Sequence, residues 1–160
     1  GVWRKHRKTV VWGKNYGGNE DLFWETEPNI GVVDSPLGKI GLLICMEGSI
    51  DVGYSIPLVR VGGADFLVSV TIWSDRNQII SVAHNTNRWF LVSDQKGKAG
   101  HKTPGWLCMG YSRIAHPSGT IQADTKGKEG LIVVRTDLWV DTENLPIKEK
   151  LNTVIEWSLY

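Results

Sequence analysis

The chain has 160 residues, 41% hydrophobic and 22% charged, enough to bury a core and ordinary for a globular domain. Its net charge of +1 offers no field for nucleic acid or an anionic membrane, so neither is expected as a partner. No apolar run approaches the roughly 20 residues of a membrane span, and two cysteines make no disulfide framework, which points to a reducing, cytoplasmic setting.

Residues 1–12 place a basic cluster, Arg4-Lys5-His6-Arg7-Lys8, between hydrophobes, as at a strand end running into a loop. Residues 13–29 read as loop, with Gly13, Gly17, Gly18, Asn15 and Asn19 as turn formers. That loop carries Glu20, Asp21, Glu25 and Glu27. Residues 30–33 and 39–44 read as a hairpin about the turn Ser35-Pro36-Leu37-Gly38. The apolar run from Ile40 to Ile44 predicts a strand buried on both faces.

That run stops at Cys45, with Met46, Glu47 and Gly48 next. A polar stretch just past a buried strand lies where open sheets present their ligand sites. A helix starting there would favour the thiolate through its N-terminal amides. A free cysteine can equally be a small buried hydrophobe.

Within residues 49–61 a helix is compatible only if Pro57 sits in its first turn. Residues 64–70 predict a strand ending in Thr71-Ile72-Trp73, residues 78–88 a helix, and residues 89–92 another buried strand. Residues 96–106 read as a Gly/Lys loop, either a lid or a disordered stretch. Residues 110–119 predict a hairpin turning at Pro117–Gly119, and residues 120–123 and 130–135 its closing strands. Beyond them Ile147, Leu151, Ile155 and Leu159 fall on one helical face suited to a partner surface, which predicts an oligomer. No phosphate-binding glycine loop or zinc-type Cys/His spacing occurs, so no cofactor or metal is expected. His6, His84, His101 and His116 are dispersed.

Gly38-Lys39-Ile40-Gly41-Leu42-Leu43-Ile44-Cys45-Met46-Glu47, followed by residues 62–68, closely resembles the nucleophile region of the nitrilase, or carbon–nitrogen hydrolase, superfamily. Gly110-Tyr111-Ser112-Arg113-Ile114-Ala115-His116-Pro117-Ser118-Gly119 is similar to its Gly-x-Ser-x-Ile-x-x-Pro-x-Gly hairpin. The likeness runs from Lys5 to Leu138. It implies an α/β fold, a nitrilase-type α-β-β-α sandwich, and cleavage of non-peptide carbon–nitrogen bonds in a small amide or nitrile.

By that resemblance Cys45 is the nucleophile and Lys8 the catalytic lysine, with Lys5 as the alternative register. Glu20 matches a second glutamate that orients the lysine, although a solvent-facing loop acid fits the same position. Trp73, Met46 and Glu47 become candidate substrate contacts, with core packing the alternative for Trp73. The sequence departs from the superfamily pattern at residues 86–87, at Asp94 and after Cys45, where the usual Pro-Glu-x-x-Arg is absent. Two rival outcomes of the same fold are an N-acyltransferase and a non-catalytic assembly subunit.

The superfamily's base glutamate and early strands lie upstream of the lysine motif, and no carboxylate precedes Lys8. The expectation is therefore the C-terminal portion of one hydrolase domain. Residues 1–141 would form the sandwich part and 142–160 a helical tail. The chain alone would be inactive, completed by a homo-oligomer or by a missing N-terminal half.

Overall fold

The computed structural model describes residues 5–10, 30–51, 53–72, 74–99 and 106–135. The tail stripe at Ile147 to Leu159, Glu20, Trp73 and residues 136–138 lie outside the described residues.

A β-hairpin opens the sheet. Strands β1 (Val32–Ser35) and β2 (Gly38–Ile44) pair antiparallel from Val32 opposite Gly41 to Ser35 opposite Gly38. Only two residues, Pro36 and Leu37, join them, and Gly38 at φ 108° takes a backbone conformation that a side chain would strain. The Ser35 hydroxyl donates to Gly38 O at 2.6 Å and accepts from the Leu37 amide at 3.1 Å, closing the turn.

Strand β3 (Phe66–Thr71) then pairs parallel to β2, and β4 (Trp89–Asp94) parallel to β3, each reached through a helix. Helix α1 (Ser55–Arg60) carries Pro57 in its first turn, where a missing amide costs no helical hydrogen bond. Helix α2 (Arg76–Thr86) begins at Asp75, whose carboxylate accepts from the Gln78 amide at 2.9 Å, and stops at Asn87 in a left-handed conformation. The Asp75 cap explains why α2 starts two residues before the expected Gln78.

Residues 96–99, expected as loop, form strand β5 (Lys96–Ala99), which pairs antiparallel with β6 (Trp106–Met109). Gly97 and the lysines hide the strand signal, which here comes from cross-strand pairing rather than from apolar alternation. The expected hairpin at 110–119 is present as β7 (Arg113–His116) and β8 (Thr120–Asp124). The main sheet thus has the order β1-β2-β3-β4-β7-β8, parallel at its centre and antiparallel at both sides.

Strand periodicity sorts side chains to the two faces. One face, with Leu43, Leu67, Phe90, Val92 and Ala115, packs against Leu58 of α1 and Ile79, Val82 and Ala83 of α2. Leu43, Leu58, Leu67, Val82 and Phe90 are essentially fully buried, each contributing roughly 1.5–3 kcal/mol. The other face collects Phe66, Trp89 and Ile114, with Ile40, Val68 and Leu91 partly covered. Ile132 and Val134 reach this second cluster, although residues 130–135, expected as a closing strand, run outside any strand.

The expectation that β2 is buried on both faces therefore holds only on the helix side. Leu43 is buried there, whereas Ile40, Leu42 and Ile44 are half-exposed and Val70 is 54% exposed. An apolar run records that a strand is hydrophobic on both sides without recording what covers each side.

Candidate active site

Three parallel strands end together. Ile44 stands opposite Val70 and Thr71 opposite Asp94, so β2, β3 and β4 share one carboxyl edge. Cys45 is the first residue past β2 on that edge, and it is half-buried. Its φ is 52°, in the left-handed region that a residue with a Cβ rarely adopts. Backbone strain of this kind persists only where the surroundings hold it, and it concentrates at functional sites.

Cys45 opens a 3₁₀ turn, Cys45–Gly48, closed by the Ser49 amide donating to Met46 O at 3.0 Å. No α-helix starts directly beyond Cys45; α1 starts at Ser55, with Pro57 in its first turn as the sequence required. Cys45 and Met46 line a small cavity of about 40 Å³ between this turn and the start of α2, with Ser69, Thr71, Ser74 and Gln78.

Glu47, expected as a substrate contact, is fully buried. Its Oε2 accepts from the Ile44 amide at 2.8 Å, across the turn, and lies 2.9 Å from His6 Nε2. Its Oε1 accepts from the amides of Thr9 and, at 3.3 Å, Val10. An ionised carboxylate only accepts, so the imidazole presents N–H to it. With both oxygens turned to protein donors, Glu47 faces the lysine segment rather than the cavity, whose lining does not include it.

The same segment is held at two more points. The His6 ring stacks on Tyr54 with centroids 6.4 Å apart and planes 21° from parallel. The Thr9 hydroxyl lies 3.2 Å from the Tyr54 hydroxyl. Beneath His6 is Gly31, where an added Cβ would come within 2.5 Å of Nδ1. Lys8 sits inside this clamped segment and is half-buried, whereas Lys5, the alternative register, is exposed.

Sequence reasoning brought Cys45, Met46, Glu47 and Lys8 to this region, but it missed His6, Tyr54 and Gly31. No local pattern marks them, because His6 and Glu47, 41 positions apart, meet only once the sheet is assembled.

A polar cluster occupies the same edge at β4. Asp94 Oδ2 accepts from the Tyr111 amide at 3.1 Å and lies 3.0 Å from the Ser74 hydroxyl, itself 2.9 Å from Tyr111 O. The Asp94 amide donates to the Ser112 hydroxyl at 3.0 Å. Arg113 stacks its guanidinium over the Tyr111 ring and donates from Nε to Asp124 at 2.9 Å. The matched Ser112 of the hairpin motif thereby ties β4 to β7.

Among the described residues no helix is long and apolar enough to cross a membrane. The fold is shared with solved structures. Nit3 of Saccharomyces cerevisiae, a nitrilase-superfamily member, superposes with a TM-score of 0.66 at 17% identity, over 81% of this chain and 46% of that one. A carbon–nitrogen hydrolase from Helicobacter pylori G27 gives 0.62 at 16% identity, over 78% and 48%. A mutant amidase from Nesterenkonia sp. AN1, with the acetamide moiety of fluoroacetamide added to its active-site cysteine, gives 0.64 at 14% identity, over 78% and 46%. The chain spans about half the length of these structures. No curated protein matches it. The family model described as carbon-nitrogen hydrolase matches residues 3–140, nearly the whole chain. With the α/β architecture and the motif at Cys45, that match places the chain in the carbon–nitrogen hydrolase family.

Proposed function

We propose that Cys45 is the nucleophile of a hydrolase acting on a small non-peptide amide or nitrile. The observation that carries this reading is the backbone of Cys45, held at φ 52° on the carboxyl edge of a parallel sheet. There a thiol is fixed by the strand behind it and presented at the edge where such sheets bind ligands.

With an amide, the Cys45 thiolate adds to the carbonyl carbon and the C=O electron pair moves onto oxygen. Lys8 and a backbone amide beside Cys45 stabilise that oxyanion. As the oxyanion collapses, the C–N bond breaks, and the amine leaves with the proton taken from the thiol by the base glutamate that the family carries upstream of the lysine motif. A thioester remains. Water, deprotonated by the same base, attacks it and releases the acid and the thiol. With a nitrile, thiolate addition gives a thioimidate, which adds water and expels ammonia to reach the same thioester. Glu20 is the expected partner that orients Lys8, and Met46 and Trp73 are the expected contacts of the substrate.

The test is intact-protein mass spectrometry after a pulse of short aliphatic amides or nitriles, with Cys45→Ala beside the parent protein. The reading requires an acyl adduct on Cys45 and none in the variant. Turnover that persists in Cys45→Ala would overturn it. Transfer of the acyl group to an added amine in preference to water would identify the acyltransferase alternative.

A further inference from the structure

We infer that Glu47 is a positioning residue, whose carboxylate sets the Lys8 segment against the Cys45 turn. This rests on the reading that Cys45 and Lys8 carry the chemistry, and it gives Glu47 a different task from the substrate contact expected of it.

The argument starts from cost. A carboxylate with no exposed surface is stable only when its lone pairs are taken by donors. Glu47 has four donors among the described residues, three of them backbone amides. A carboxylate serving only its own turn would need just the Ile44 amide, three residues away. The other three donors lie 37 to 41 positions away, in residues 6–10. Glu47 therefore joins two segments that the chain itself does not connect.

The bonds fall beside the two reactive positions rather than on them. Ile44 immediately precedes Cys45, so its bond to Glu47 spans the strained residue and holds the turn closed around it. Thr9 and Val10 immediately follow Lys8, and His6 precedes it by two, so Lys8 is bracketed by bonds to the same carboxylate. Tyr54 and Gly31 complete the seat, the first against the imidazole and the Thr9 hydroxyl, the second by leaving room for the ring. Glu47→Gln keeps the shape but replaces one acceptor oxygen with an NH₂ group that faces N–H donors, so one side of the bracket opens.

The experiment uses the intact protein and reads kcat and KM separately for turnover of a short aliphatic amide, with Tm as control. In Glu47→Gln, kcat should fall about tenfold or more, with KM within about threefold, as for a group acting through the transition state. Adding Glu47→Gln to Lys8→Met should lower kcat little further, because both changes act through the same lysine. His6→Ala removes only one side-chain donor and should lower kcat less, which serves if Glu47→Gln does not fold. A lowered Tm with kcat unmoved would make Glu47 merely structural and overturn the proposal. A raised KM with kcat unchanged would restore it as a substrate contact, with the same consequence. Full activity in Cys45→Ala or Lys8→Met would instead remove the functional reading underneath, and this inference with it.

Discussion

The carboxylate of Glu47 accepts a hydrogen bond from the Ile44 amide at 2.8 Å, closing a turn whose first residue, Cys45, has a positive φ. The nucleophile candidate is thus held from both ends of its turn, by strand β2 before it and by a buried acid after it. A strained backbone fixed in this way has consequences for stability as well as for chemistry.

Glycine adopts the φ of Cys45 without the penalty that a Cβ brings, roughly 1–2 kcal/mol. Cys45→Gly should therefore be more stable than Cys45→Ala by about 1 kcal/mol, with both variants inactive. Thermal or denaturant unfolding of the pair measures the difference. Equal stability would mean that the turn carries no strain. Cys108→Ala, in a buried position on β6, should keep turnover within a few-fold.

Lys8→Met should fold with an unchanged Tm and lose about a hundredfold or more in kcat, the scale of one oxyanion-stabilising group. Lys5, being exposed, should tolerate the same change with little effect. Steady-state kinetics of the two variants decides the register. If Lys5→Met proved the damaging change, the catalytic lysine would lie three residues earlier.

A Cβ on Gly31 would stand 2.5 Å from His6 Nδ1 and 2.8 Å from Cε1, closer than carbon atoms approach unbonded neighbours. Gly31→Ala should push the imidazole off Glu47 and lower kcat several-fold. Combined with His6→Ala it should cost little more than His6→Ala alone, because both remove the same contact. Additive losses in that double-mutant cycle would place the effect of Gly31 elsewhere.

Asp94 Oδ2 receives the Tyr111 amide, while Asp94 Oδ1 is buried with no hydrogen-bond partner among the described residues. Asp94→Ala should destabilise the protein by about 1–3 kcal/mol, the cost of leaving a buried donor unpaired. Asp94→Asn keeps an oxygen where the bonds are made and should stay within about 1 kcal/mol of the parent. Chemical denaturation of both variants provides the check.

Burial pushes the Asp124 carboxyl up, but the Lys126 amide and the Arg113 guanidinium outweigh it and hold it below the ordinary value of 3.8. A depressed folded-state value means stability that is present above the unfolded value. It is lost as pH falls below about 3.8 and through the folded value. Asp124→Asn should flatten that acid limb of the Tm-versus-pH curve while leaving neutral pH nearly unchanged, because the group is partly exposed and screened.

Local patterns made much of the framework legible. The two-residue turn at Pro36–Leu37, the Pro57 constraint on α1, the apolar runs of β2 to β4 and the turn at 117–119 are each written in neighbouring residues, since backbone stereochemistry acts over a few positions. The motif around Cys45 likewise announced a candidate nucleophile and the family. What a local pattern could not encode is which surfaces meet. Glu47 reads from sequence as a polar residue beside a cleft, and it is instead the buried partner of residues 6–10. His6 was one of four scattered histidines until β1, β2 and α1 put Gly31, Glu47 and Tyr54 around it. Even the half-exposed second face of β2 was invisible in its apolar run. Hydrophobicity specifies that a side chain should be covered, and only the assembled sheet decides by what, because that depends on segments distant in the chain meeting at one edge.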